Sequence, residues 1–160
     1  MFAEVTTALL DETAYVEKLR QSSHNAGAIV TFTGLVRDYN ADGAIEGISL
    51  EQYPGMTASA MQQLLQQASA RFALLSAGIV HRVGYIGNYE PVVWVGCSAS
   101  HRKAAFDGAE FVMDMLKKSV PLWTNAFPKR PSDSGRMVAT STIGTARRSN
   151  RWPPSVTFCA

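Results

Sequence analysis

Cysteine is scarce in this chain: 160 residues hold only Cys97 and Cys159. The two are far apart and in no Cys-x-x-Cys pair, which excludes a disulfide scaffold and a thiolate metal knuckle. Both are expected as free thiols in a reducing compartment. The three histidines, His24, His81 and His101, lack metal-ligand spacing, so no metal site is expected. No apolar run approaches the ~20 residues of a membrane span. The opening residues, through Asp11 and Glu12, are acidic where an export signal is basic. A cytoplasmic protein without a membrane partner is expected. Gly-x-Gly-x-x-Gly, Walker and Gly-x-Ser-x-Gly motifs are all missing, as are paired carboxylates near a predicted pocket. Nothing here supports dinucleotide binding, nucleotide hydrolysis or serine hydrolysis.

What is present is the makeup of one globular domain, with 46% hydrophobic and 18% charged residues and length enough for a real core. The formal charge of +2 hides an asymmetry. Residues 1–116 carry 7 basic and 12 acidic side chains, a balance of −5, whereas residues 117–160 carry 8 and 1, a balance of +7. A basic end of this kind meets an anion, an acidic partner or nucleic acid, or is simply a solvated tail.

Period and turn chemistry predict the elements. A short helix runs from Asp11 to Gln21, and Gly27–Val36 is a buried strand rich in β-branched residues. Arg37–Gly43 is a loop, Ile45–Tyr53 a second strand, and Pro54-Gly55 its stop. Thr57 is placed to cap a helix whose Met61, Leu64, Leu65, Ala68 and Phe72 repeat at 3.6 residues. Gly78–Ile86 and Val92–Ala99 are further strands. Ser100 or Ser98 is expected to cap a last helix through about Lys118, and Pro121 follows it. The mixed order, without regular βαβ units, predicts an α+β fold of two layers: a mixed sheet packed by two main helices. The domain is expected over residues 1–127, and 128–160 reads as an irregular basic segment rich in Pro, Ser and Thr.

The last predicted helix carries the chemistry. Phe106, Ala109, Met113 and Lys117 share a face, so Lys117 extends an apolar stripe while Lys118 turns about 100° away. Two readings of Lys117 fit: a lysine that snorkels and completes the helix dipole, or a nucleophile or proton acceptor over an apolar pocket. At the other end, His101 and Arg102 are cations in a first turn, where they oppose the dipole. Either an anion sits there on the free N–H groups, or the pair bends into solvent. Arg37 ends a strand at a loop, a usual position for a substrate contact. His81-Arg82, inside a strand pattern, reads as a structural pairing.

Five ordered blocks then narrow the field: TFTGLVRDYN (31–40), LEQYPGMT (50–57), HRVG (81–84), SASHRKAAF (98–106) and MDMLKKSVPLW (113–123). Together they resemble the large, catalytic subunit family of molybdopterin synthase, from about Gly27 to Trp123. The resemblance implies a fold with a β-hammerhead motif and a homodimer. It also implies a small ubiquitin-like sulfur-carrier partner at each end, giving a heterotetramer. That partner ends in Gly-Gly and carries sulfur as a C-terminal thiocarboxylate. The implied substrate is cyclic pyranopterin monophosphate, and the product gains the dithiolene sulfurs of the molybdenum cofactor. Lys117 falls on the family's essential lysine, His101 and Arg102 on its anion-binding pair, and Arg37 on its strand-end arginine. Leu35 and Val36 would line the pocket beside that arginine, with Phe32 and Met113 as further pocket residues. No metal or other cofactor is implied.

One departure stands out. After Pro-x-Trp the family continues with a second functional lysine, whereas here Trp123 is followed by Thr124 and Asn125, which are expected to take that place as substrate contacts. Beyond Phe127 the family's usual ending is unrecognisable, which fits divergence or a shifted reading frame. Two other functions fit the same residues. One is a catalytically weakened paralogue that keeps dimer and partner. The other is a nucleic-acid-binding module on the basic tail, which lacks the interleaved aromatics such modules use.

Overall fold

The computed structural model describes residues 1–128. Their order is β1 (Phe2–Thr6), α1 (Glu12–Gln21), β2 (Ala28–Leu35), β3 (Tyr39–Asn40), β4 (Gly43–Gln52), α2 (Met56–Phe72), β5 (Ser76–Arg82), β6 (Gly84–Gly87), β7 (Pro91–Ala99), α3 (Arg102–Ser119) and β8 (Leu122–Pro128). A four-stranded sheet has the order β1-β5-β7-β2, and a second has the order β3-β4-β6 with β8 paired to β4. In the first sheet only β1 and β5 run parallel; β5–β7 and β7–β2 are antiparallel. The architecture is mixed α+β, as the sequence predicts.

Helix α1 forms where expected, and the Asp11 carboxylate accepts a hydrogen bond from the Ala14 amide at 3.0 Å. Its acidic first turn and basic last turn both favour the helix dipole. Two expected caps are corrected. Gly55, at φ 82°, is the N-cap of α2 and gives no side-chain bond. Thr57 is the second residue of the helix, where its buried hydroxyl donates to the Pro121 carbonyl at 3.0 Å. Likewise neither Ser98 nor Ser100 caps α3: His101 is the N-cap, extended and without a side-chain bond. Ser98 is instead buried, 2.6 Å from the Ser23 hydroxyl and donating to the Ser76 carbonyl at 3.1 Å. In both cases a buried hydroxyl found a partner across the fold, and leaving it unpaired would have been costly.

The strand expected over Gly78–Ile86 divides at Val83. Gly84 takes φ 85°, and the chain passes from one sheet to the other. Strands β1, β3 and β8 have no counterpart in the sequence reading. Every residue of β5 is buried because the first sheet is covered on both faces. Helices α2 and α3 pack over the main core, including Leu65, Ile79, Val95 and Val112, while α1 covers a smaller one of Leu19, Val80 and Trp94. Fully burying one such aliphatic side chain contributes about 1.5–3 kcal/mol. The predicted basic segment lies outside the described residues, apart from Pro128 at the end of β8.

Candidate active site

Helix α3 brings the predicted cations into one frame. Its buried face is Ala105, Gly108, Ala109, Val112 and Leu116. The stripe expected from Phe106 is therefore corrected: Phe106 is 61% exposed and Met113 sits at the edge of the core. Aromatic character misled here, because the small residues Ala105 and Gly108 are what let the helix approach the sheet. Lys117 is half-buried beside this face and Lys118 is exposed. The next residues turn at once into β8, held by the Thr57 bond to the Pro121 carbonyl.

At the start of α3, Gly27, Ser100, His101, Arg102 and Lys103 line an open depression. The Gly27 amide donates to the Ala99 carbonyl at 3.0 Å. A Cβ at Gly27 would overlap the Ser100 carbonyl oxygen, so only glycine permits this approach. His101 and Arg102 are exposed, and the first turn holds no acidic residue. Lys103 is neutralised by Asp107 at 2.8 Å. Arg102 has no ion pair among the described residues. The N–H groups that the first turn of a helix leaves without intrahelical partners, two adjacent cationic or protonatable side chains and the positive helix end are together suited to an oxyanion.

Arg37 follows β2 and is exposed, again without an ion pair among the described residues. Its neighbours differ in burial. Leu35 and Phe32 are exposed, whereas Val36 is only 4% exposed and belongs to the core. Val36 is thus a core side chain and not an open pocket wall. Thr124 and Asn125 lie on β8, in register with Leu50 and Ser49 of β4. His81 and Arg82 are buried and structural. The His81 Nδ1 is 2.9 Å from the Arg82 carbonyl, and burial holds the imidazole below its ordinary pKa. Arg82 donates to Glu90 at 2.7 Å and keeps that carboxyl below the usual range.

Sequence reasoning missed the Gly87–Glu90 turn. Tyr89 there has φ 66°, and its hydroxyl donates to the Asp38 carboxylate at 2.6 Å, next to Arg37. No sequence signal marks a tyrosine for a left-handed conformation. Among the described residues, no group of His, Cys, Asp and Glu could hold a metal ion, and no helix is long and apolar enough to cross a membrane.

Fold and site thus define an α+β domain with cationic side chains at both ends of one long helix. The family model described as "MoaE protein" matches residues 5–119. The molybdopterin synthase catalytic subunit of Pseudomonas aeruginosa is 42% identical over 123 residues, covering 77% of this chain and 82% of that protein. Among solved structures, the molybdopterin biosynthesis MoaE protein from Burkholderia ambifaria has a TM-score of 0.71 at 34% identity, over 84% of this chain and 94% of that one. Molybdopterin synthase from Staphylococcus aureus has a TM-score of 0.74 at 25% identity, over 80% and 92%. The chain belongs to the MoaE protein family, the catalytic subunits of molybdopterin synthase. Its activity is that family's sulfur transfer in molybdopterin synthesis.

Proposed function

We infer that two copies of this chain build a shared site. In it, a thiocarboxylated partner delivers sulfur to cyclic pyranopterin monophosphate. One observation carries the reading. Arg102 and Lys117 belong to a single helix, fifteen residues apart and therefore separated by about 22 Å of axis, more than a monophosphorylated tricyclic pterin bridges. If both serve one substrate they come from different chains, and two-fold symmetry brings the start of one helix toward the end of its mate's. Lys117 and Arg37 of one protomer then face His101 and Arg102 of the other. The cations take the phosphate, and Lys117 serves the reacting end as nucleophile or proton acceptor.

The partner is a small ubiquitin-like subunit whose thin Gly-Gly tail enters between side chains in extended form. Its sulfur displaces an oxygen substituent from a side-chain carbon of the pterin, giving a thioester between partner and substrate. Water cleaves the acyl–sulfur bond, leaving the sulfur on the pterin and releasing the partner as its carboxylate, and a second thiocarboxylate repeats the transfer. The relatives' designation as a catalytic subunit supports a second kind of subunit. The assembly is a homodimer carrying two small subunits, placed in the cytoplasm. The test is product formation from purified chain, thiocarboxylated partner and pterin precursor, with a partner lacking its last two residues as control. Transfer that persists with the truncated partner overturns tail threading. Absence of any product with the intact partner overturns the activity for this chain and favours a weakened paralogue, for which Thr124 in place of lysine is the supporting residue.

A further inference from the structure

Tyr89 sits oddly for a residue without a task. Its backbone lies at φ 66°, a left-handed conformation that is sterically unfavourable for a non-glycine residue. Its ring is 67% exposed, so burial does not offset that cost. What the conformation achieves is a set of bonds to the segment around Arg37. The Tyr89 amide donates to the Val36 carbonyl at 2.7 Å, and the Val36 amide donates to the Glu90 carbonyl at 3.0 Å. Both polar backbone groups of the residue before Arg37 are thus taken by the Tyr89–Glu90 pair.

The residue after Arg37 is held as well. The Asp38 carboxylate accepts from the Tyr89 hydroxyl at 2.6 Å, and the Asp38 carbonyl accepts from the Ile45 amide at 2.9 Å. The turn itself is anchored inward. Glu90 accepts from the buried Arg82 at 2.7 Å and from the Gly87 amide at 3.2 Å, and the Asn88 amide group donates to the Ile45 carbonyl at 2.7 Å. The Arg37 side chain is exposed and forms no ion pair among the described residues. It projects from a base fixed on both sides just past the β2 bulge, where regular β2–β7 pairing becomes irregular.

We propose that Tyr89 is a positioning residue for Arg37: its amide and hydroxyl clamp Val36 and Asp38, so that the arginine meets the substrate's anionic group from a fixed backbone. The proposal rests on the reading of Arg37 as a substrate contact. Preorganisation of this kind strengthens binding without changing the reacting groups.

The test uses the full chain with its thiocarboxylated partner, read as affinity for the pterin monophosphate precursor and as KM and kcat. Tyr89→Phe keeps the ring and the amide bond and removes only the hydroxyl. Loss of one solvent-exposed hydrogen bond of ordinary strength predicts a KM and a dissociation constant each raised about fivefold, with kcat within about twofold because the contact serves binding and not chemistry. Asp38→Ala has the same effect. The double variant is no worse than either single one, since both break one tether. Asp38→Asn, whose amide oxygen still accepts from the tyrosine, recovers most of the loss. Tight binding by Tyr89→Phe, or effects that add in the double variant, overturns the clamp. Arg37→Ala separates the two levels. If it weakens binding while Tyr89→Phe does not, only the clamp falls. If it binds the precursor like the parent chain, the substrate role of Arg37 falls and the clamp's purpose with it.

Discussion

Arg102 opens α3 and Lys117 stands in its last turn, so one continuous helix fixes them at opposite ends. A rigid spacer of about 22 Å forces a choice between two separate functions and one site assembled from two chains. Mixing decides it. An inactive Lys117→Ala chain combined with an inactive Arg102→Ala chain is expected to regain activity, because each heterodimer then holds one site with both residues intact. Heterodimers shown to form, yet giving no activity, would refute the shared site.

Lys117→Ala is expected to fold and bind the partner, since truncating one half-buried side chain at a helix end usually costs under about 1 kcal/mol. Product formation should drop about a hundredfold or more, the scale of a lost proton-transfer or nucleophilic group. Lys118→Ala, one position round the helix and exposed, is expected to stay near the parent rate. Near-parent turnover in Lys117→Ala would remove that lysine from the mechanism.

Thr124 lies half-buried on β8 opposite Leu50, at the position proposed above to have threonine in place of the family's second lysine. Threonine donates a hydrogen bond but carries no charge. Thr124→Lys is therefore expected to raise turnover severalfold at fixed partner and precursor. An unchanged or lower rate would show that this chain's site works without a cation there.

The parts most legible in the sequence were those with a repeat. The 3.6-residue apolar spacing of Met61, Leu64, Leu65 and Ala68 marked α2, and the β-branched run before Arg37 marked β2. Strand β8 was not legible, because Leu122–Pro128 becomes a strand only by pairing with β4, seventy or more positions earlier in the chain. The α3 cap failed for the same reason: Ser98 is drawn into a bond with Ser23, a partner no local pattern reveals. For the site, charge placed against a helix dipole singled out His101 and Arg102 locally. The Tyr89–Asp38 tether needed two loops to meet in space.

His81 gives the fold an acid limb. Its imidazole is buried among core residues and held below its ordinary pKa, so folding favours the neutral ring. Stability is complete above the unfolded value of about 6.5 and falls as pH drops below it, where the unfolded chain takes up a proton that the folded one resists. Glu90 acts lower. Its depressed carboxyl supports the fold above the ordinary carboxylate range and loses that support only as acid protonates it. Unfolding midpoints at about pH 7.5 and about pH 5.5 therefore isolate the histidine. His81→Leu should show a smaller drop between them than the parent, and an equal drop would assign the acid limb to other groups.

The order β1-β5-β7-β2 also governs how the chain reaches its native state. No two neighbours in that sheet are consecutive in sequence, and the outermost residues of the β2–β7 ladder pair Ala28 with Ala99. Long loops must close before those pairings reward the chain. Folding belongs in the slow range for a domain of this size, about milliseconds to seconds. Until β7 arrives, the apolar edge of β2 stands open to other chains. The yield of active protein should therefore depend on how crowded the newly made chains are during that interval, and dilute, cool expression should favour it.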